Sequence, residues 1–147
     1  MTAKVFVDTN ILVYARDSSE GEKQVVAKHW ITHLWETRLG RLSYQSCNEY
    51  YVVTTRRLKP GLSKKDARDD IKAFEAWNPL PVDKKVIENA WNIQDRYQFS
   101  WWDSLIISAA QIQGCGFLLS EDLQHEQVVG NLQIINPFSC DLGVISG

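Results

Sequence analysis

Short apolar runs alternate along the chain with longer stretches in which apolar residues recur at helical spacing. The short runs are rich in β-branched and aromatic residues and predict strands at 4–8, 41–45, 117–120 and 132–135. The longer stretches predict helices at 9–16, 22–39, 46–58, 63–77, 84–97 and 100–113. This alternation favours an α/β fold, a three-layer α/β/α sandwich around a central, mostly parallel sheet of about four to five strands.

The whole pattern fits a single domain. Residues 1–138 carry all the predicted strands and helices, and residues 139–147 carry weak signals. We expect this C-terminal tail to be either loose or packed on a partner. A chain of 147 residues is long enough to bury a hydrophobic core without disulfides.

The composition is that of a soluble globular protein, with 44% hydrophobic and 23% charged residues. A formal net charge of -2 excludes a globally basic nucleic-acid binder, so any RNA-binding surface must be local. The three cysteines are an odd number without C-x-x-C spacing, which favours reduced thiols. Lys4 interrupts the N-terminus before a signal-peptide core forms, and no apolar run can cross a bilayer, so we expect a cytoplasmic protein without a membrane span.

Four acidic residues stand where this fold gathers functional groups. Asp8 ends the first strand, and Asp122 follows the strand at 117–120. Glu49 and Asp103 lie in the predicted first turns of two helices. Because the carboxyl ends of parallel strands meet at one edge of a sheet, we expect the carboxylates to converge there.

Converging carboxylates predict a site for a hard divalent cation. Their mutual repulsion raises the pKa of some members unless a cation lies between them. Mg²⁺ and Mn²⁺ prefer oxygen ligands, and a bound ion lowers the pKa of a water molecule and stabilises charge on a phosphate oxygen. The sequence leaves open whether one or two ions bind.

Each acid also has a purely structural interpretation. Ser46 with Glu49 and Ser100 with Asp103 match the capping box, in which the acid only satisfies a backbone N–H. Asp8 suits a turn at a strand end, and Asp122 suits the N-cap of a short helix. Ser63 with Asp66 shows the same spacing at a position where no site is expected, so position in the fold, rather than spacing, distinguishes the candidate site residues.

Four segments together resemble the motifs of the PIN-domain family, in the same order. They are VFVDTNIL at 5–12, SYQSCNEYY at 43–51, SWWDSLI at 100–106 and LLSEDL at 118–123. The resemblance extends from residue 4 to about residue 138, and the brevity of the chain is similar to that of the VapC-type toxins. It therefore implies a PIN-like fold.

The resemblance implies a Mg²⁺- or Mn²⁺-dependent endoribonuclease that hydrolyses RNA through a metal-activated water, the toxin of a VapBC-type toxin–antitoxin pair. Asp8, Glu49, Asp103 and Asp122 would be the catalytic and metal-binding acids. The side chains that would orient them or their waters are Asn10 and Ser120. The resemblance also implies a homodimer and a cognate VapB-like antitoxin whose C-terminal segment blocks the site.

Basic and aromatic residues offer candidate RNA contacts. Six cationic side chains fall within thirteen residues: Arg56, Arg57, Lys59, Lys64, Lys65 and Arg68. They would attract phosphates, although a solvated face explains them equally well. Arg16 follows the first motif, and we expect it near the crevice. Trp101 and Trp102 suit base stacking, core packing or a dimer interface.

Two other functional interpretations remain open. A haloacid-dehalogenase-like phosphatase also places an Asp after its first strand, but it needs a second Asp where this chain has Asn10. A PIN scaffold without catalysis would act as a protein-binding module, which the retention of all four acids disfavours. His29 and His33 lie four residues apart, but their helix carries its apolar stripe toward the core, so a metal role is not expected.

Overall fold

The computed structural model describes residues 3–145, which form a five-stranded sheet and six main helices. The strands are β1 Val5–Val7, β2 Gly40–Arg41, β3 Phe117–Leu119, β4 Val128–Val129 and β5 Leu132–Ile135. The helices are α1 Thr9–Tyr14, α2 Gly21–Thr37, α3 Tyr44–Val52, α4 Lys64–Phe74, α5 Lys84–Tyr97 and α6 Trp101–Ile112. A π-helical segment, Val53–Arg57, continues α3.

The sheet has the strand order β2-β1-β3-β5-β4. All neighbours are parallel except β4, which pairs antiparallel with β5. This confirms the predicted α/β class and the mostly parallel sheet. In the register, Val7 lies opposite Leu119, so the residues that follow these two strands emerge side by side at the same edge.

Helices cover both faces of the sheet, as expected for a three-layer sandwich. Along β1, Val5 and Val7 pack into one core cluster with residues of α1, α2 and α3, whereas Phe6 packs into a second cluster with residues of α5 and α6. The alternation follows from the pleat, which points successive side chains to opposite faces. Strands buried on both sides explain the continuous apolar runs in the sequence.

The strand predicted at 41–45 is shorter than expected. Pairing with β1 ends at Arg41, and Ser43 forms only an isolated parallel bridge with Leu80. Ser43 then caps α3, with its Oγ accepting from the backbone N–H of Ser46 at 3.3 Å. The prediction that Ser46 caps this helix is therefore wrong, and Glu49 lies beyond the first turn, so it does not belong to a capping box.

The end of α2 also differs from expectation. A glycine directly after a helical stretch such as 22–39 predicts a C-cap, but the C-cap is Arg38, in the left-handed region at φ 61°, and not Gly40. Gly40 instead lies in β2 beneath the indole of Trp77, where an added Cβ would come within 2.4 Å of Trp77 Cε2. Close approach of a large aromatic ring, rather than a helix end, explains this glycine.

The end of the chain packs on the first core cluster. Phe138 and Leu142 are partly buried against that cluster, and Ile145 belongs to it with 7% of its surface exposed. Residues 146 and 147 of the expected tail lie outside the described residues, as do residues 1 and 2. Among residues 3–145, every helix is too short or too polar to span a bilayer.

Candidate active site

A cavity of about 790 Å³ opens at the carboxyl ends of β1 and β3. Three of the four predicted acids line it: Asp8 directly after β1, Glu49 on α3 and Asp122 after β3. They come from parts of the chain separated by up to 114 positions, and the parallel pairing of β1 with both β2 and β3 brings them together.

Asp8 lies at the floor of the cavity with 8% of its surface exposed. Its Oδ1 accepts from the backbone N–H of Thr9 at 2.8 Å, and its Oδ2 accepts from Ser120 Oγ at 2.9 Å. Burial raises the pKa of Asp8 to about 7, although these two hydrogen bonds lower it, and the nearby charges of Asp122 and Glu49 raise it further. A cation bound beside Asp8 would lower this raised pKa and so favour the ionised carboxylate.

Two neighbouring side chains orient Glu49. Thr9 Oγ1 donates to Glu49 Oε2 at 3.2 Å, and Gln45 Nε2 donates to Glu49 Oε1 at 3.1 Å. Sequence reasoning did not single out Thr9 or Gln45, although Gln45 precedes Glu49 by four residues, the spacing of neighbours on one helix face. Each carboxylate oxygen of Glu49 thus accepts one hydrogen bond, from Thr9 at the start of α1 or from Gln45 on its own helix.

The two predicted orienting residues contact the acids directly. Asn10 Nδ2 donates to Asp122 Oδ2 at 2.9 Å. Ser120 Oγ donates to Asp8 and also accepts from the backbone N–H of Asp122 at 3.3 Å, which ties the two acids together through one hydroxyl. These are the contacts that an orienting role requires, and the role itself stays a prediction.

Asp103 is placed differently from the other three acids. It lies in the first turn of α6, where its backbone N–H donates to the capping Ser100 Oγ at 3.1 Å. Its neighbour Trp102, rather than Asp103, lines the cavity. Its carboxylate has no hydrogen bond or ion pair with any other residue among 3–145, so it is free to turn toward a ligand.

The oxygen donors at the cavity suit a hard divalent cation. Asp8, Glu49 and Asp122 offer carboxylates, and Asn10 Oδ1 is a buried amide oxygen without a hydrogen-bond partner among the described residues. The part of the chain that the structure describes contains no group of three or more His, Cys, Asp or Glu placed to hold an ion together. Mg²⁺ commonly binds through one or two carboxylates and keeps several waters, so the donor chemistry still fits it.

Glu121 is held away from the cavity floor. Its carboxylate accepts from the Tyr14 hydroxyl at 2.5 Å and forms an ion pair with Lys23. These bonds to α1 and α2 tie down the loop after β3 and lower the pKa of Glu121 despite its partial burial. The neighbouring Asp122 is left to face Asn10.

The candidate RNA-contacting residues divide between two surfaces. Arg57 is exposed and lines the cavity, while Arg56 and Lys64 are exposed outside its lining. Arg16 lines a separate pocket, where its guanidinium donates to both carboxylate oxygens of Asp70 at 2.5 and 2.9 Å. The remaining candidate, Lys65, pairs with Asp69 at 2.7 Å.

The comparisons with known proteins agree with this geometry. The sequence profile of the PIN domain matches residues 5–131, most of the chain. The chain belongs to the PIN-domain family. This assignment agrees with the motif resemblance and removes the haloacid-dehalogenase alternative. Comparison with curated protein sequences gives no significant match.

Solved structures share the fold of this PIN domain at low sequence identity. A toxin–antitoxin complex from Klebsiella pneumoniae superposes with a TM-score of 0.66 at 14% identity, over 91% of this chain and 98% of its own. FitAcB from Neisseria gonorrhoeae gives 0.64 at 15% identity, over 92% and 99%. VapC20 of Mycobacterium tuberculosis, a Sarcin-Ricin loop cleaving toxin, gives 0.57 at 17% identity, over 78% and 87%.

The buried Asp8 predicts a pH-dependent difference in stability between the wild type and Asp8→Asn, both without divalent cations. The pKa is about 7 in the folded protein against an ordinary 3.8, so the folded state favours the protonated carboxyl. The stability that protonation provides is complete below pH 3.8 and is lost as the pH rises through about 7. Asparagine resembles the protonated form at every pH, so we expect the Tm advantage of Asp8→Asn to grow between about pH 4 and pH 7 and to level off above pH 7.

Thermal melts of both proteins in EDTA across this range would measure the effect. Taking the difference between the two proteins cancels the titration of groups that do not interact with Asp8. A difference in Tm that stays constant with pH would contradict the raised pKa of Asp8.

Proposed function

We propose that this PIN domain is a Mg²⁺- or Mn²⁺-dependent endoribonuclease and the toxin of a VapBC-type toxin–antitoxin pair. The observation that carries the proposal is one cavity lined by Asp8, Glu49 and Asp122, at the strand ends where α/β folds bind ligands. Fold similarity alone does not give function, so the proposal depends on the chemistry of this cavity within the PIN-domain family.

Asp8, Glu49 and Asp122 would hold the ion, one or two of them directly and the others through its waters, with Asp103 turning in from α6. The bound ion supplies an activated water and stabilises charge on the phosphate oxygen. The chain's own residues keep the acids in position. Ser120 and the Thr9 N–H fix Asp8, and the Thr9 hydroxyl with Gln45 fixes Glu49, while Asn10 fixes Asp122.

RNA binding would use the local basic residues, since the chain is acidic overall. Arg57 lines the cavity and would contact a phosphate beside the reacting group. Arg56, Lys64 and Lys65 would attract the strand beyond the cavity, and Arg16 would do so only by leaving Asp70.

We propose three further properties of the protein in the cell: homodimerisation, a cytoplasmic location and inhibition by a VapB-like antitoxin. Asp17 and Glu20 line the same cavity as the three acids, and Arg57 is the single Lys or Arg among its lining residues. This charge favours a basic segment as the part of the antitoxin that enters the cavity.

The proposal is tested by incubating the purified protein with RNA in the presence of Mg²⁺, Mn²⁺ or EDTA. We expect cleavage with either ion and none in EDTA. Because the attacking group is water rather than the 2′-hydroxyl, products should carry no cyclic 2′,3′-phosphate, and RNA with a 2′-deoxy nucleotide at the cut should still be cleaved. Cyclic 2′,3′-phosphate ends or activity in EDTA would contradict the proposal and would indicate a metal-independent ribonuclease.

A further inference from the structure

Trp102 is an exposed aromatic residue on the wall of the acidic cavity. Trp102 lies beside Asp103 in the first turn of α6, and 61% of its surface is exposed. Its neighbour Trp101 is partly buried and packs against the second core cluster. The two tryptophans therefore have different roles, and only Trp101 is explained by packing.

The position of Trp102 matches what an unpaired nucleotide needs. An indole face is large and flat, and bases stack on such faces with little regard to sequence. Trp102 lines the same cavity as Asp8 and Asp122, so a base stacked on it would lie near the carboxylates. Arg57, which also lines this cavity, offers a guanidinium for a phosphate of the same strand.

We propose that Trp102 stacks on an unpaired base of the RNA substrate and so positions the neighbouring phosphate for cleavage. This inference rests on the proposed function and adds a positioning residue to it, Trp102, which can act only where the cut site lies in a single strand or loop. A base within a duplex has both faces covered by its neighbours and cannot stack on the indole, whereas bases in loops and single strands can.

RNA binding by Trp102 variants in the Asp8→Asn background tests the stacking, since cleavage is suppressed there. The probe is a fluorescently labelled single-stranded RNA measured by anisotropy. We expect Trp102→Ala to weaken binding about 5- to 150-fold, the equivalent of about 1–3 kcal/mol for one stacked base. Trp102→Phe should restore most of the affinity, because phenylalanine keeps an aromatic face.

Trp91→Ala is the matched control, because Trp91 is an exposed tryptophan on α5 that does not line the cavity. It should leave RNA binding unchanged. In the protein that retains Trp102, an RNA with one abasic nucleotide should bind more weakly than the intact RNA. In Trp102→Ala, the abasic and the intact RNA should bind equally. This non-additivity separates stacking from a general effect on the fold.

Two failures are distinguishable. Equal RNA binding with Trp102 and with Trp102→Ala, while the wild-type protein shows metal-dependent cleavage, would overturn the stacking inference alone. A Phe variant as weak as the Ala variant would overturn it as well. Absence of any RNA binding or cleavage by the wild-type protein would overturn the proposed function together with the inference.

Discussion

Asp8→Asn is expected to lower the rate of RNA cleavage by at least about 100-fold. A bound divalent ion stabilises the transition state by several kcal/mol, and each ~1.4 kcal/mol lost is about tenfold in rate. Asp8 is the most buried of the cavity acids, and burial raises its pKa, which means that its ionised form is costly without a cation. Asparagine has the same shape but no charge to offer a cation.

The fold should survive this substitution. Ser120 Oγ and the Thr9 N–H remain available as partners for an asparagine side chain. Removal of a charge that is costly to bury should leave the Tm equal or higher at neutral pH. Steady-state rates on one RNA substrate, with melting curves of the same preparations, would measure both effects.

Asp95→Asn is the control for this experiment. Asp95 is an exposed acid on α5 and does not line the cavity, so its variant should retain full activity. Wild-type rates in Asp8→Asn would show that the metal site does not involve Asp8 and would remove the main support for the nuclease proposal.

The sequence predicted the sheet well because burial on both faces leaves a strong local signal. Continuous apolar runs at β1 and β3 favour helices on each side of the sheet, and the order of elements then favours a parallel arrangement. The same rule predicted that Asp8 and Asp122 share one edge, and both line one cavity. β4 was missed, because two residues carry too little pattern to predict a strand.

Other features of the site depend on pairings that local sequence does not encode. Ser43 and Ser46 both suit an N-cap, and the choice between them depends on where β2 stops pairing with β1. The ion pair of Arg16 with Asp70 joins residues 54 positions apart and takes that arginine away from the cavity. Such contacts are decided by tertiary packing.

The other prediction with a large expected effect concerns stability. Trp77→Ala should lower the free energy of unfolding by about 3 kcal/mol, the lower end of the usual range of ~3–5 kcal/mol for a buried aromatic residue. Trp77 is 1% exposed, and its ring centroid lies 4.7 Å from that of Trp35 and 6.0 Å from that of Phe74. We expect the lower end because Trp77 Nε1 is buried without a hydrogen-bond partner among residues 3–145, and alanine removes that unsatisfied donor.

Urea unfolding followed by circular dichroism would measure this loss, with Trp91→Ala as the exposed control expected to stay within about 0.5 kcal/mol of the wild type.

The effect should also reach the site. The Trp77 indole covers Gly40 in β2, the strand that precedes α3, which carries Glu49. Loss of the indole leaves a cavity beside β2, so the backbone leading into α3 becomes less constrained. We therefore expect Trp77→Ala to reduce cleavage several-fold while the protein remains folded, whereas Trp77→Phe should recover much of both losses. An Ala variant as stable as the Trp91 control would show that this aromatic cluster does not support the first core.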